Sequence, residues 1–434
     1  MTTARSGGAA ALVGAVGLLL TACGGNIGGD TAEQSAGEGG ATEGAQTLTI
    51  GYVSPTTGPL AAFGESDAYV VKAMTAYFAA NPISAGGKTF SVKIVVRDAQ
   101  STSTRAGEVA AELINSEGAD LLLASSTPDI VNPVSEQCEA NSVPCLTTVA
   151  PWQPFAIRGQ DGTPSDLAFS HHFFWGLEDI AKVYSDMWKQ VPTNGKAAGL
   201  FPNDPDGQAW SANLPGLFAP AGYTLSNPGL YPNGTQDFSA QISKYSGFDI
   251  VTGVPIPPDF TTFWKQAQQQ GFKPKVATIA KAVLFPSAIE ALGGSGAGIS
   301  TEVWWHPTAP YTSSVTGQTA QQLADAYEQE TSGQWTQPLG FSHALFEVAA
   351  AALTKAGSTD AEALNTAMDG LSVDTVVGPL AWGADPALPP YVARTPLAGG
   401  QWRASDGDHP YELVVVSNVG APTVPVGGKL EPIR

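Results

Sequence analysis

Three stretches in the first part of the chain decide the fold: LTIGYV at residues 48–53, FSVKIVV at residues 90–96 and DLLLA at residues 120–124. Each is rich in the β-branched and aliphatic residues that favour strands. Between them, at residues 70–78 and 106–114, apolar side chains recur at the spacing of a helix face. This β-α-β-α-β order is typical of a doubly wound parallel sheet, which binds ligands at the carboxyl ends of its strands.

The same alternation returns later in the chain. Strand patterns occur at residues 197–201, 249–254 and 276–279, and an apolar, Ala-rich helix is predicted at residues 340–353. The chain has 434 residues, whereas a single domain usually has roughly 150. We therefore predict an α/β protein with two doubly wound parallel-sheet lobes rather than one long sheet.

The composition excludes several classes of function. Apolar residues make up 43% of the chain and charged residues only 14%, which indicates a folded core. The net charge is −19 and no dense basic run occurs, so nucleic-acid binding is not expected. The sequence has no G-x-S-x-G, no P-loop and no H-E-x-x-H motif, and its histidines lack metal-ligand spacing. We therefore expect no enzymatic activity, no metal and no cofactor.

The N-terminal residues indicate export. An apolar run at residues 9–20 is too short to span a bilayer comfortably and is followed by small residues, as in a cleavable signal. The ending Leu20-Thr21-Ala22-Cys23 resembles a bacterial lipobox, in which the Cys is diacylated. The alternative is an ordinary signal peptide with an incidental Cys. We expect a lipoprotein signal peptide at residues 1–22 and an extracytoplasmic protein anchored to the membrane by Cys23. A Gly-, Ala- and Glu-rich flexible tether is expected at residues 23–46.

The remaining cysteines are Cys138 and Cys145. An even number of cysteines in an exported protein favours a disulfide, here one that closes a small loop. Two buried free thiols are the alternative.

Several motifs together resemble one protein family. Residues 50–64, IGYVSPTTGPLAAFG, look like the opening of the type I periplasmic binding proteins for branched-chain amino acids. Residues 373–382, VDTVVGPLAW, resemble a late segment of that family, and residues 97–100 and 203–204 match motifs between the two. The resemblance implies two α/β lobes that are joined by a three-crossing hinge. The lobes would close on a small solute and deliver it to the permease of an ABC importer.

The resemblance also implies boundaries for the two lobes. The first lobe is expected to consist of residues 47–173 plus 307–375, and the second of residues 174–306 plus 376–434. The chain is expected to cross between them near residues 172–176, 302–307 and 375–381.

A ligand shell follows from the resemblance, residue by residue. The hydroxyls that hold the ligand carboxylate are expected from Ser125, Ser126 and Thr127, although helix-capping or turn roles are the alternative. The other positions carried over are Phe63, Thr148, Val149, Ala150 and Ile256. Trp152 stands in this chain where the family has a smaller residue, which brings an indole near the mouth of the cleft.

The second lobe departs from the family pattern. The family's amino-acid binders hold the α-ammonium with an acid after the strand at residues 276–279, where this chain has Lys281. We therefore expect a solute without an α-ammonium, unless Lys281 points to solvent. If the solute does carry an ammonium, Asp206 is the acid expected to hold it.

Four tryptophans are expected at strand ends or crossings near the cleft, namely Trp152, Trp175, Trp304 and Trp305. Tryptophans at such positions would cover an aromatic or bulky apolar ligand body, although each of them could also serve packing alone.

The sequence thus predicts a lipid-anchored solute-binding protein of an ABC importer. Its partners would be the permease subunits, the membrane through the lipid anchor and a small carboxylate-bearing solute. That solute would be an aromatic or apolar acid or a branched-chain amino acid. The alternative is a sensory lipoprotein that signals to a membrane receptor.

Overall fold

The computed structural model describes residues 46–159 and 161–433. The predicted signal peptide, the Cys23 that is predicted to carry a lipid, and the predicted tether up to residue 45 lie outside the described residues. Gln46, expected to end the tether, is the first residue of the first strand. No helix within the described ranges is long and apolar enough to cross a bilayer.

The strands of the described residues are, in chain order, β1 (Gln46–Ser54), β2 (Ile83–Ala85), β3 (Lys88–Asp98), β4 (Leu121–Ser125), β5 (Cys145–Thr148), β6 (Ser170–Phe173), β7 (Lys196–Leu200), β8 (Thr224–Ser226), β9 (Ile250–Gly253), β10 (Val276–Ile279), β11 (Ser300–Val303), β12 (Ser372–Thr375), β13 (Gly378–Ala381), β14 (Val392–Ala393), β15 (Leu397–Ala404) and β16 (Tyr411–Gly420).

The α-helices of these residues are α1 (Asp67–Ala80), α2 (Ser103–Asn115), α3 (Pro128–Asn141), α4 (Trp152–Ala156), α5 (Leu177–Trp188), α6 (Pro205–Phe218), α7 (Ser239–Ile242), α8 (Pro257–Gln269), α9 (Pro286–Glu290), α10 (Ala320–Thr331), α11 (Pro338–Ala356) and α12 (Ala361–Met368). Short 3-10 turns occur at Ala61–Gly64, Ala219–Ala221, Ser243–Tyr245 and Gly293–Gly296.

Two seven-stranded sheets form the two predicted lobes. The first sheet has the order β14-β6-β5-β4-β1-β3-β2 and the second the order β16-β15-β11-β10-β9-β7-β8. Pairing is parallel throughout the centre of each sheet, and antiparallel pairing occurs only where β2, β15 and β16 join. The prediction of two doubly wound lobes is confirmed.

The local sequence patterns explain the elements of the first lobe. All five residues of β4 are buried, as its continuous aliphatic run predicts for a central strand. Helix α1 buries Val70, Met74 and Phe78 on its predicted face. The Thr102 hydroxyl accepts a hydrogen bond from the amide of Arg105 and thereby caps the start of α2.

The chain crosses between the lobes three times, and the third crossing corrects the sequence prediction. The first crossing follows β6 and the second follows β11. Residues 375–381, predicted to be the third, instead form the β12–β13 hairpin, which packs on α11 of the first lobe. Strand β14 then pairs with β6 of the first sheet, so the chain leaves the first lobe only at residues 394–396. Residues 376–393 therefore belong to the first lobe, because long-range pairing decides the boundary.

The predicted disulfide is present in the structure. Cys138, near the end of α3, is bonded to Cys145 at the start of β5, and their Cα atoms are 6.0 Å apart. Both residues are fully buried. The bond ties a helix directly to the strand that follows it.

Glu347 of α11 is a buried carboxylate that joins three parts of the first lobe. Its Oε1 accepts hydrogen bonds from the amide and hydroxyl of Ser314, and its Oε2 accepts one from the amide of Val376. Burial is the main influence on this group and raises the pKa of Glu347 from 4.5 to about 7.

We expect Glu347 to make folding stability fall as the pH rises. The folded state holds the Glu347 proton more tightly than the unfolded chain, so this stabilisation is complete below the unfolded pKa and is lost as the pH passes about 7. Between pH 5 and pH 8, the wild type should lose about 2–3 kcal/mol more unfolding free energy than Glu347→Gln. Urea denaturation at both pH values measures this, with the exposed Glu362→Gln as control. Equal slopes for wild type and Glu347→Gln would contradict the prediction.

Candidate functional site

A cavity lies between the lobes, where the carboxyl ends of strands from both sheets meet. The empty space between its lining atoms is about 300 Å³, a figure that includes space open to solvent. Its lining residues come from both lobes and from two of the crossings, and are Phe63, Thr127, Val149, Pro151, Phe174, Trp175, Asp206, Trp210, Val254, Ala280, Lys281, Leu284, Glu302 and Trp304. This is the position at which doubly wound sheets bind ligands.

The first lobe brings three hydroxyls to the end of β4. Ser125, Ser126 and Thr127 are buried, and their hydroxyl oxygens have no hydrogen-bond partner among the described residues. Thr127 is the N-cap residue of α3, but its side chain makes no capping bond, and it lines the cavity. The Thr127 hydroxyl therefore does not serve as a helix cap, which was the alternative role considered for it.

The end of β5 contributes backbone rather than side chains. Val149 lines the cavity with a left-handed φ of 73°, which turns the chain at this point. The Thr148 hydroxyl, expected to bind the ligand, donates to the carbonyl of Phe173 at 2.6 Å instead. Ala150 does not line the cavity, and its carbonyl oxygen lies 2.8 Å from Nε2 of His172.

Aromatic rings cover much of the cavity wall. Of the four predicted tryptophans, Trp175 and Trp304 line it, whereas Trp152 and Trp305 do not. The Trp152 indole donates to Glu178 at 3.1 Å, and the Trp305 indole donates to the carbonyl of Val376. These two indoles are therefore held by the protein outside the cavity.

Trp210 also lines the cavity, although no sequence motif singled it out. It is fully buried in α6 and lines the cavity four residues after Asp206, on the same helix face. That spacing was the available signal. The indole N–H groups of Trp175, Trp210 and Trp304 have no acceptor among the residues that the structure describes.

Phe63 lies where the sequence predicted and also joins the lobes. It lines the cavity and packs edge-to-face against Phe285 of the second lobe, with ring centroids 4.9 Å apart. Ile256, in contrast, is buried as the N-cap residue of α8 and does not line the cavity. The structure therefore gives no support to Ile256 as a lining residue of this cavity.

Lys281 is placed in the cavity wall, but its charge is already paired. Its Nζ lies 3.1 Å from Oδ2 of Asp204 and 3.0 Å from Oδ2 of Asp206, and all three side chains are 4% exposed. Asp204 also caps α6 by accepting a bond from the amide of Gly207. The alternative that Lys281 points to solvent is therefore wrong.

Burial and neighbouring charges shift the pKa values of both Asp206 and Lys281. Burial raises the pKa of Asp206; the Lys281 ammonium opposes this rise and Asp204 adds to it. Burial would lower the pKa of Lys281, but Asp204 and Asp206 outweigh it and hold that pKa above its ordinary value. Lys281 thus stays charged at physiological pH.

Glu302 is a second buried acid of the wall. Its Oε1 accepts a bond from the amide of Lys281 at 3.3 Å, and its Oε2 accepts one from the Tyr184 hydroxyl at 2.6 Å. Burial raises the pKa of Glu302, while the Tyr184 bond opposes this rise. The end of β10 itself carries no acid, as the sequence shows, and the acids around Lys281 come from the start of α6 and from β11.

A metal site finds no support in this geometry. Within residues 46–159 and 161–433, no group of three or more His, Cys, Asp or Glu side chains is arranged to hold a metal ion. The ammonium of Lys281 lies between Asp204 and Asp206, where a cation would otherwise have to sit.

Comparison with known proteins places the chain in a family. The sequence profile described as "Periplasmic binding protein" matches residues 47–394. No curated protein sequence matches the chain significantly.

Solved structures of the same fold are numerous. A leucine-binding protein LivK from Thermotoga maritima is 18% identical with a TM-score of 0.71, covering 86% of this chain and 99% of its own. LivJ from Streptococcus pneumoniae, solved with isoleucine, is 14% identical with a TM-score of 0.69, covering 85% and 100%. A solute-binding protein from Rhodopseudomonas palustris, solved with 3,4-dihydroxybenzoic acid, is 16% identical with a TM-score of 0.67, covering 88% and 99%. At these identities the likeness shows the type I periplasmic binding protein fold.

Proposed function

The chain belongs to the periplasmic binding protein family, whose members are non-enzymatic solute-binding proteins, and we propose that it is the lipid-anchored solute receptor of an ABC importer. The observation that carries the proposal is the cavity between the lobes. Residues of both lobes line it, and it is surrounded by polar groups that have no hydrogen-bond partner among the described residues. Such a site suits capture of a small molecule.

The proposed solute is small, with a carboxylate and an apolar or aromatic body. The Ser125, Ser126 and Thr127 hydroxyls supply donors, and they precede α3, whose N-terminal end favours an anion. The aromatic rings of Phe63, Trp175 and the other lining residues supply the apolar wall. Relatives of this fold were solved with isoleucine and with 3,4-dihydroxybenzoic acid, which both have a carboxylate and an apolar portion.

Closure of the lobes would retain the solute. Three chain crossings connect the lobes, which permits a hinge motion, and a bound solute would contact both sides of the cavity. The Phe63–Phe285 ring pair spans the lobes and would separate when they open. Uptake would then follow when the closed form meets the permease.

A panel of solutes tests the proposed ligand class. The full-length protein is heated with branched-chain and aromatic amino acids, benzoate-type acids, short aliphatic acids and glucose. At 100 times its dissociation constant, a true ligand adds about 2.7 kcal/mol of stability. Carboxylate solutes should raise the melting temperature and glucose should not. Stabilisation by glucose alone would contradict the proposal.

Thr127→Val then tests whether the Thr127 hydroxyl binds the carboxylate of the solute. Because this change removes a hydroxyl from the cavity wall but keeps the side-chain volume, affinity for the carboxylate solute should fall about tenfold. Thr366→Val, which alters an exposed residue of α12, should bind as the wild type does. Equal binding by all three proteins would show that Thr127 does not hold the carboxylate.

The lipid anchor is tested by cell fractionation. The motif at residues 20–23 supports acylation of Cys23. Cys23→Ala should release the protein from membranes and leave solute binding intact. If Cys23→Ala remains fully bound to membranes, the anchor lies elsewhere.

A further inference from the structure

We propose that Glu178, in the first turn of α5 in the second lobe, is a positioning residue for solute capture. It holds α4 of the first lobe against α5 and thereby draws the lobes together independently of a solute. Glu178 does not line the cavity, so it acts through the arrangement of the lobes and not through contact with the solute. This role goes beyond the proposed function, because it concerns contacts between protein groups alone.

Two side chains at the start of α4 donate hydrogen bonds to the Glu178 carboxylate. The Trp152 indole donates to Oε1 at 3.1 Å, and the side-chain amide of Gln153 donates to Oε2. Helix α4 follows β5 of the first lobe, whereas α5 packs on β15 and β16 of the second. Each oxygen of Glu178 therefore accepts a hydrogen bond from the other lobe.

Further hydrogen bonds join the same two segments. Oε1 of Gln153 accepts a bond from the Leu177 amide at 2.9 Å, so both ends of this side-chain amide are bonded to α5. The backbone amide of Trp152 donates to the carbonyl of Trp175 at 3.1 Å. Pro151 and Trp175 line the cavity. The contact between α4 and α5 is thus continuous with the cavity wall.

Arg394, at the third crossing, also contacts Glu178. Its Nη1 lies 2.7 Å from Oε1 of Glu178 and 2.6 Å from Oδ2 of Asp179. Its Nε lies 3.3 Å from Oδ2 of Asp385, which belongs to the first lobe. An isolated pair near the surface stabilises little, but several charges and hydrogen bonds in one network contribute together. Arg394 thus links acids of both lobes next to the hinge.

The Trp152 indole packs directly on the first crossing. A Cβ at Gly176 would lie deep inside contact distance of the Trp152 ring and of the Glu178 carboxylate. The amide of Gly176 donates to Oδ2 of Asp179 at 2.9 Å at the start of α5. The lack of a side chain at residue 176 therefore permits the contact between Trp152 and Glu178.

Opening of the lobes would break the bonds between α4 and Glu178. A hydrogen bond is lost once its donor and acceptor are more than about 3.5 Å apart, and a hinge rotation moves α4 of one lobe relative to α5 of the other. The bonds therefore favour the closed arrangement over the open one. A solute that binds the closed arrangement gains apparent affinity in proportion to the closed fraction.

Pulsed electron spin resonance measures this equilibrium without a solute. Spin labels are attached at Thr75→Cys in α1 and Gln268→Cys in α8, two exposed positions in different lobes. The full-length chain also carries Cys23→Ala, so that the two labelled thiols are free and the other cysteines form the disulfide. After exhaustive dialysis, the distance distribution should contain a population at the label separation of the closed structure. Glu178→Ala should lower the ratio of closed to open molecules about tenfold.

Glu112→Ala is the matched control. The Glu112 side chain is 38% exposed and that of Glu178 is 37% exposed, and each lies within 2.8 Å of an arginine. The partner of Glu112 is Arg97, and both residues belong to the first lobe. Glu112→Ala should therefore leave the distance distribution unchanged.

Two further variants identify the contact that acts. Gln153→Ala should also lower the closed fraction, and adding it to Glu178→Ala should change little, because both remove the same contact. Glu178→Gln keeps one acceptor oxygen and should have an intermediate effect. A residue that only stabilised α5 would show no such coupling to α4. The melting temperature of each variant verifies that it is folded.

The outcomes separate this inference from the proposed function, because no solute enters the experiment. A wild-type distribution without the closed population overturns the inference, as does an unchanged distribution in Glu178→Ala and Gln153→Ala. Fully additive effects of these two changes overturn the assignment to one shared contact. If Glu178→Ala does not fold, Glu178→Gln and Gln153→Ala decide the matter by the same criteria.

Discussion

Lys281→Met is expected to lower the free energy of unfolding by about 3–5 kcal/mol, since it removes a buried cation from between two buried acids while leaving the acids in place. In the folded protein Asp204 and Asp206 both lie within 3.1 Å of the Lys281 ammonium, and each side chain is 4% exposed. Without that ammonium their charges are buried and uncompensated. Urea denaturation measures the loss.

Two further variants control this result. Lys275→Met breaks an exposed pair with Asp249, in which the lysine side chain is 51% exposed, and should cost less than about 1 kcal/mol. The double variant Lys281→Met/Asp206→Asn also removes one of the two uncompensated carboxylates. It should therefore recover a large part of the lost free energy of unfolding. Asp204 keeps its bonds to Gly207 and Asn233 in that protein. A single Lys281→Met variant as stable as the wild type would refute the account of the cluster.

Gly207→Ala is expected to cost about 3 kcal/mol of stability and to abolish solute binding, because no side chain fits at this position. A Cβ at Gly207 would lie deep inside contact distance of the Pro202 carbonyl oxygen, which is backbone and cannot rotate away. The first turn of α6 would have to shift, and this turn carries Asp206 and leads to Trp210 of the cavity wall.

Gly216 of the same helix is the matched control. A Cβ at Gly216 meets nothing within 4 Å. Gly216→Ala should therefore raise stability by about 0.5–1 kcal/mol, because alanine has the higher helix propensity. Chemical denaturation and solute titration of both variants measure the contrast. Similar stability and binding for the two alanine variants would show that the close approach at Gly207 is not needed.

The architecture was predictable because its signals are local. The aliphatic run of β4 and the spacing of apolar residues in α1 indicate, within a few residues, which side chains face a core. The disulfide was also within reach, since only two cysteines remain after the lipobox. The boundary between the lobes could not be predicted in this way, because β14 has only two residues and is recognised by its pairing with His172 and Phe173.

The cavity wall was predicted in part. Phe63, Thr127 and Val149 line it in the first lobe, as the motif positions implied. Thr148 and Ile256 do not contact it, because the hydroxyl of the first has a backbone partner and the second begins a helix. Strand-end position is therefore a guide to the neighbourhood of the site and not to the orientation of each side chain.

By itself, the sequence determined the two-lobed α/β fold and the segments whose strand ends meet at the cleft. Periodicity, burial and turn residues act over a few neighbours, so they can be read along the chain. Only the tertiary structure showed that the positive charge of Lys281 is paired with two buried acids. Its partners Asp204 and Asp206 are 77 and 75 positions away in sequence, and a charge acts through all the groups that folding brings around it.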